Sequence, residues 1–548
     1  MRFRSAVASG SISLLLTSGF VAVLVASAPR PVFMHATQAL RTMDVMEPTP
    51  PVTMERAPPA MIQPDAIRAP SPAYSMAPYR SAENTERYEG RQVASIQSVA
   101  TTPVSTFSVD VDTGAYANVR RFLNQGEKPP AEAVRTEEMI NYFRYDYPRP
   151  TSPNQPFSVT TNVSTTPWNR ESRLLRIGLR AYDVTTAQRP RANLVFLVDV
   201  SGSMEDPDKL PLVKAALTGL ADRLRPDDRV SIIVYASNAG MVLAPTADKD
   251  AVKAALDRLQ AGGSTAGGEG IQLAYRTARA NFMKGGINRI FLATDGDFNV
   301  GISDTKALEA LVKSNRDDGI TLTTLGFGQG NYNDAMMEHI ADVGNGNYAY
   351  IDSAMEAKKM LDDELSATMV TVAKDVKIQV EFNPAQVKQY RLIGYENRAL
   401  AEEDFDNDAV DAGDMGAGHQ VTALYEIMPA SAKGWAGERR YPANRARAGT
   451  GGGELGFVKL RYKLPDGKTS QLVTRTVPAN LMTTAAAPSG DMAFVTAVAA
   501  FGQKLRGDKY LGGYSVVDAR ALAGNPQGYW RQEFVRLTRL ADGKYPRD

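Results

Sequence analysis

At 548 residues, 43% of them hydrophobic, the chain holds material for two or three folded domains at a usual size of about 100–200 residues each. Lys and Arg total 62 against 61 Asp and Glu, and a net charge of +1 provides no global field of the kind that draws a protein to nucleic acid. There is no cysteine, and His35, His339 and His419 stand far apart. Disulfides, thiolate metal sites and cysteine nucleophiles are excluded, a Ser-His-Asp triad would need an unusual convergence, and any chemistry must run on carboxylates, hydroxyls, amides and bound ions.

Arg2 and Arg4 precede an uncharged run from Ile12 to Ala28 that ends in Ala26-Ser27-Ala28, the three-part pattern of an export signal. Pro29 directly after the small residues disfavours cleavage, while the 17-residue run lies near the lower limit for crossing a bilayer, about 17–25 residues. Export to the periplasm or cell envelope is expected, with residues 1–28 either removed or kept as an inner-membrane anchor. Residues 29–100 are rich in Pro, Ala, Met, Ser and Thr, with Pro50-Pro51, Pro58-Pro59 and Pro70-Ser71-Pro72 and no sustained period. Such a stretch buries too little apolar surface to offset its ordering entropy, so it reads as a disordered tether.

A first folded module is expected over 101–190. Residues 106–112 alternate like a half-buried strand, 116–123 and 134–142 follow helical spacing, and 156–163 and 174–179 read as strands. Asp110 and Asp112 are candidate metal ligands by type, but such residues more often cap a helix or fix a turn, and that is the expectation. From 191 to 366 strands alternate with helices, which implies a mostly parallel sheet covered on both faces. The strands fall at 194–199, 229–235, 289–293, 321–326 and 348–351; the helices fall at 210–224, 249–259, 268–281, 305–315, 332–343 and 355–365. Residues 367–548 read as a separate mixed domain, with strands at 372–382 and 456–462 and helices at 495–505 and 529–540.

In open α/β sheets ligands sit beyond the carboxyl ends of the strands. Asp199-Val200-Ser201-Gly202-Ser203 follows the apolar run Leu194 to Val198, so a carboxylate and two alternating hydroxyls stand at such an end. Gly262-Gly263-Ser264-Thr265-Ala266-Gly267-Gly268 is a flexible loop ahead of a helix, and Ala293-Thr294-Asp295-Gly296-Asp297 closes another strand on the same edge. Asp-x-Ser-x-Ser alone would pass for a capped strand-to-helix turn. The glycine loop lacks the Gly-Lys-Ser/Thr ending of a phosphate loop.

Taken together, Asp199-x-Ser201-x-Ser203, Thr265 and Asp295 resemble the metal-ion-dependent adhesion site of von Willebrand factor type A domains. Phe107 to Thr113 and Glu138 to Phe143 resemble the N-terminal module of a bacterial architecture built on that domain. Asp411 to Asp414, Gly416 to His419 and Val421 to Ile427 resemble its C-terminal domain of unknown function. Members of that architecture often look like lipoproteins, and this chain departs from them in having no Cys to acylate.

The resemblance implies a central von Willebrand factor type A domain of α/β class, Rossmann-like, flanked by smaller α+β domains. It also implies that Ser201, Ser203 and Thr265 coordinate an ion directly, while Asp199 and Asp295 act directly or through water. Gly202 and Asp297 are candidates to surround them. Mg2+ is the expected ion, with Mn2+ or Ca2+ as alternatives. Magnesium wants six oxygens, and three neutral hydroxyl donors leave it electrophilic enough to take a carboxylate from outside. The expected function is therefore a non-enzymatic, metal-dependent adhesion or scaffolding module of the bacterial envelope. Its partner would be an unidentified protein presenting Asp or Glu; nucleic acid is not expected, and membrane contact is expected only through the N-terminal segment. Metal-activated hydrolysis with Asp297 as base, or a structural envelope role with a vestigial site, stay open as other readings.

Other features are given structural roles. Asp404, Asp406 and Asp408 alternate like the start of a calcium loop, but Ala409 and Met415 stand where Gly and Glu are needed, so a solvated acidic loop is expected. His339 reads as a surface or core histidine. Tyr142, Phe143, Tyr145 and Tyr147 are expected to pack rather than bind.

Overall fold

A computed structural model describes residues 85–109, 112–265, 267–296, 305–363, 367, 369–435 and 453–545. The export segment, the first part of the tether, Asp110 and Asp297 lie outside the described residues. Among the described residues no helix is long and apolar enough to cross a membrane.

The centre is a six-stranded sheet in the order Tyr348–Ile351, Thr321–Phe327, Ile287–Thr294, Ala192–Asp199, Arg229–Tyr235, Ala239–Thr246, parallel except for the last strand. Ala192–Asp199 is buried throughout because both its faces are covered. Leu194, Phe196 and Val198 pack in one cluster with Val213, Leu217 and Leu256 of the helices Leu210–Asp222 and Lys249–Asp257. Val195 and Leu197 pack in another with Ile271 and Ala274 of Gly267–Ala280 and Val312 of Thr305–Asp317. The α/β class with helices on both faces is thus as expected, since a continuous apolar strand can be satisfied only from two sides. Two details differ. The antiparallel edge strand Ala239–Thr246 has no clear alternation to announce it and is nowhere fully buried. The helix expected over 355–365 is α-helical only over Ala354–Lys358 and continues as a π-helix over Lys359–Asp363.

The two flanking segments, expected as separate domains, share their sheets. One antiparallel sheet runs Gln97–Ser98, Val387–Ile393, Gln420–Pro429, Arg173–Ala181, Phe157–Thr165; the other runs Ala399–Leu400, Val104–Ser108, Thr371–Phe382, Glu454–Lys463, Gln471–Pro478. Phe157 meets Tyr462 with ring centroids 5.0 Å apart, and Phe382 meets Tyr425 at 5.3 Å, so the sheets pack face to face. The far side of the first sheet, through Leu174 and Leu424, joins a helical cluster built from Gly114–Asn124, Gly490–Arg506, Val516–Ala523 and Tyr529–Ala541. Tyr142, Phe143, Tyr145 and Tyr147 are buried in that cluster, as packing residues.

Residues 85–100, expected to belong to the tether, are held in place. The Thr85 and Arg87 backbone N–H groups donate to Gly330 O (2.7 Å) and Tyr332 O (2.9 Å), and the Glu86 carboxylate accepts from Gly330 N (2.9 Å) and pairs with Arg121. These bonds to distant residues leave no local period in the sequence.

A seam of buried ion pairs joins the flank to the central sheet. Arg120, 2% exposed, binds Asp352, Glu356 (2.7 Å) and Glu533 (3.0 Å), and donates to the Tyr142 hydroxyl at 3.0 Å. Arg135 binds Glu138, Asp334 and Glu338. The Asp112 carboxylate accepts from Tyr348 N at 2.8 Å and pairs with Arg398, which ties the helix start to the last strand of the central sheet. Replacing Arg120 by Met leaves three buried carboxylates without their cation. The variant is expected to lose about 3–5 kcal/mol of stability in urea unfolding. An unchanged midpoint would show that the seam carries no stability.

Candidate metal centre

The strand Ala192–Asp199 delivers Asp199 to the carboxyl edge of the central sheet, fully buried. The chain then reverses through the short 3-10 turn Gly202–Glu205. Ser201 N–H donates to Asp199 Oδ1 and the Thr294 hydroxyl to Asp199 Oδ2, each at 2.9 Å. Ser201 is buried and Ser203 exposed, with their hydroxyl oxygens 3.1 Å apart.

The glycine loop is laid against this turn by its backbone. Gly262 N–H donates to Val200 O at 2.8 Å, and Gly202 N–H donates to Gly263 O at 3.0 Å. Gly263 has φ +85, and a Cβ there would stand 2.6 Å from Ser237 Oγ, so the close approach requires glycine. Thr265 is half-buried at the end of this loop, just ahead of Gly267–Ala280. Gly202 is exposed, and its part in the site is the backbone bond to Gly263.

Asp295 follows the strand Ile287–Thr294 and is also fully buried. Its Oδ2 accepts from Lys209 Nζ at 3.0 Å and from Asn331 Nδ2 at 3.1 Å, and Lys209 also donates to Asn331 Oδ1 at 3.2 Å. Gly296 has φ +86, and a Cβ would stand 2.5 Å from Asn333 N, so glycine lets the Asp295 turn and the 331–333 loop meet. Lys209, Asn331 and Thr294 escaped the sequence reading. Thr294 is adjacent to Asp295. Lys209, ahead of the amphipathic helix Leu210–Asp222, reads as a surface lysine but is only 4% exposed.

Burial pushes the Asp199 carboxyl up to about 6; the hydrogen bonds from Ser201 and Thr294 oppose the rise, and the nearby charge of Asp295 adds to it. Two carboxylates brought this close in low dielectric favour a cation, which would hold both ionised. Among the described residues no three His, Cys, Asp or Glu side chains gather into a metal cage, so a site here must draw on hydroxyls. The donors fit a small hard ion. Oxygens about 2.1 Å from an octahedral ion stand about 3 Å apart when adjacent. The Ser201 and Ser203 hydroxyls, hydrogen-bonded to each other at 3.1 Å, are close enough to serve as such a pair. Lys209 offsets one of the two carboxylates, so a divalent ion would leave the site with one positive charge in excess.

Comparison with known proteins agrees with this architecture. Family models match residues 82–176 (von Willebrand factor), 193–364 (von Willebrand factor type A domain) and 367–543 (Uncharacterized protein YfbK, C-terminal). The chain is similar to Uncharacterized protein YfbK of Escherichia coli (strain K12), 49% identical over 473 residues that cover 84% of this chain and 81% of that one. It is 37% identical over 187 residues to Uncharacterized protein sll0103 of Synechocystis sp., covering 34% of this chain and 43% of that one. The solved von Willebrand factor type A structure from Catenulispora acidiphila is 18% identical and covers 72% of this chain and 91% of its own, with a TM-score of 0.39. A likeness at that score carries no argument about the site.

Lys209→Met removes the cation that Asp295 faces. In chelator the variant is expected to be about 3 kcal/mol less stable than wild type. Magnesium should then raise its melting temperature by more than it raises that of wild type. An equal rise in both would show that Lys209 has no electrostatic hold on the site.

Proposed function

The chain belongs to the family of Escherichia coli YfbK, built on a von Willebrand factor type A domain, and from that premise we propose that it is a metal-dependent protein-binding module of the bacterial cell envelope. The observation that carries the reading is the charge and donor balance at the sheet edge. Asp199 and Asp295 are buried, Lys209 offsets one of them, and the Ser201 and Ser203 oxygens are close enough to serve as adjacent ligands. Asp199, Ser201, Ser203, Thr265 and Asp295 would hold Mg2+, which supplies a positive charge at the surface when bound. Ser203 and the glycine loop are solvent-facing, so the open side of the site looks outward. An Asp or Glu of a partner protein is the group that balances the excess charge.

The chain's own residues do the rest. Ser201 N–H and Thr294 orient the Asp199 carboxylate, and Lys209 and Asn331 hold one oxygen of Asp295. The N-terminal segment would place the module in the periplasm or envelope, with the Pro-rich stretch as tether.

The test is capture from envelope extracts by the full chain in magnesium and in chelator, with Asp199→Ala as the control. Capture in magnesium is expected to fall to background in chelator and in the variant, whose circular dichroism should match wild type. Equal capture in chelator would overturn the reading.

A further inference from the structure

At the carboxyl end of the helix Gly490–Arg506, away from the central sheet edge, lies a cavity of about 450 Å3 bordered by Lys128, Lys504, Arg506, Lys509 and Lys544. Its residues come from three separate parts of the chain: the segment after Gly114–Asn124, the end of the long helix with the turn that follows, and the C-terminal tail. Five cations about one concavity are not the overflow of a basic protein, because the whole chain carries a net charge of +1.

Some of this charge has a structural use. Arg506 pairs with Glu396 at 2.9 Å, and Lys504 and Arg506 lie in the last helical turn, where cations complement the helix dipole. Asp508 also borders the cavity, but its carboxylate is taken up by Arg391 at 2.8 Å and by Tyr510 N at 2.8 Å. The other three lysines are not accounted for in this way. Lys544 donates to Gly126 O, and Lys128 sits 5.1 Å from the centroid of the Tyr545 ring. Lys509 lies 5.1 Å from the Tyr510 ring. None of these contacts neutralises a charge. Among the described residues Lys128, Lys509 and Lys544 form no ion pair.

We propose that this basic cavity is a binding site for a small phosphate-bearing anion, either free in solution or as the headgroup of an anionic phospholipid. Its volume falls in the range of small-molecule sites, about 300–1,000 Å3. Lysine ammoniums act as point charges on flexible stems, which suits tetrahedral phosphate more than the planar, paired recognition that arginine provides for carboxylates. Tyr545 provides one aromatic wall. Like charges gathered here repel one another until an anion enters, so occupancy stabilises the fold, and removing the exposed Lys128 and Lys509 relieves that repulsion in the empty protein.

The full chain is titrated calorimetrically with inorganic pyrophosphate in chelator, so that the sheet-edge site contributes nothing. It is also cosedimented with phosphatidylcholine vesicles with and without phosphatidylglycerol. The control is the double variant Lys128→Gln, Lys509→Gln, both exposed positions, whose melting temperature without ligand should equal or exceed that of wild type. Saturable pyrophosphate binding that weakens with salt and falls about tenfold or more in the variant supports a soluble anion. Cosedimentation only with phosphatidylglycerol, lost in the variant, supports a headgroup. Failure of both probes to bind wild type, or equal binding by wild type and variant, overturns the proposal.

Discussion

A carboxylate taken out of water must be compensated, and this molecule is arranged around that constraint. Arg120 and Arg135 between them hold six carboxylates at the seam between the central sheet and its flank. Four of these, Asp334, Glu338, Asp352 and Glu356, belong to the last third of the central domain; Glu138 and Glu533 come from the segments before and after it. The seam therefore fixes the helix Asp334–Val343 from outside the domain, with Asn118 donating to Asp334 at 3.1 Å. The loop that precedes this helix carries Asn331, which holds Asp295. Glu86 accepts from Gly330 N in the same loop, so the stretch from Thr85, the seam and the sheet-edge site share one short segment.

The sheet edge meets the same constraint with a different result. At the seam each carboxylate faces a guanidinium. At the edge, among the described residues, Lys209 pairs with Asp295, and Asp199 accepts hydrogen bonds from Ser201 and Thr294. A fully compensated pair would gain nothing from a divalent ion. A fully uncompensated pair would neutralise it and leave no call for an outside ligand. One lysine against two carboxylates lies between these limits, and the proposed acidic partner would complete that intermediate balance.

Much of this was legible in the sequence, and the parts that were not share a cause. Parallel strands buried on two sides must be continuous apolar runs, so Leu194 to Val198 and its neighbours announce the central sheet. Asp199, Ser201 and Ser203 alternate within five residues, Thr265 sits in its glycine loop and Asp295 follows its own strand, so the pattern of the edge survives in one dimension. Lys209 and Asn331 did not, because what matters about them is burial against Asp295, which depends on the packing of two loops distant in sequence. Asp112 read as a cap for the same reason: its partner, Tyr348 N, is 236 positions away. The edge strand Ala239–Thr246 and the stretch from Thr85 lack the apolar periodicity that burial writes into a sequence.

The largest departure was the shared sheets of the flank, and it bears on how the central domain works. Val104–Ser108 lies between Ala399–Leu400 and Thr371–Phe382, and Arg173–Ala181 lies between Phe157–Thr165 and Gln420–Pro429. Neither flanking segment can close its sheet without the other, since each would leave unpaired backbone along an edge. The chain must leave one half of the flank, build the central domain, and return to complete the other half. The central domain is thus an insertion between two halves of a sandwich, with residues after its last strand and in its last helices paired to buried arginines. Cut free, it would carry Asp334, Asp352 and Glu356 without Arg135 and Arg120. The flank therefore bears on the site through Arg135 and Asn118, which hold the helix Asp334–Val343 whose preceding loop carries Asn331.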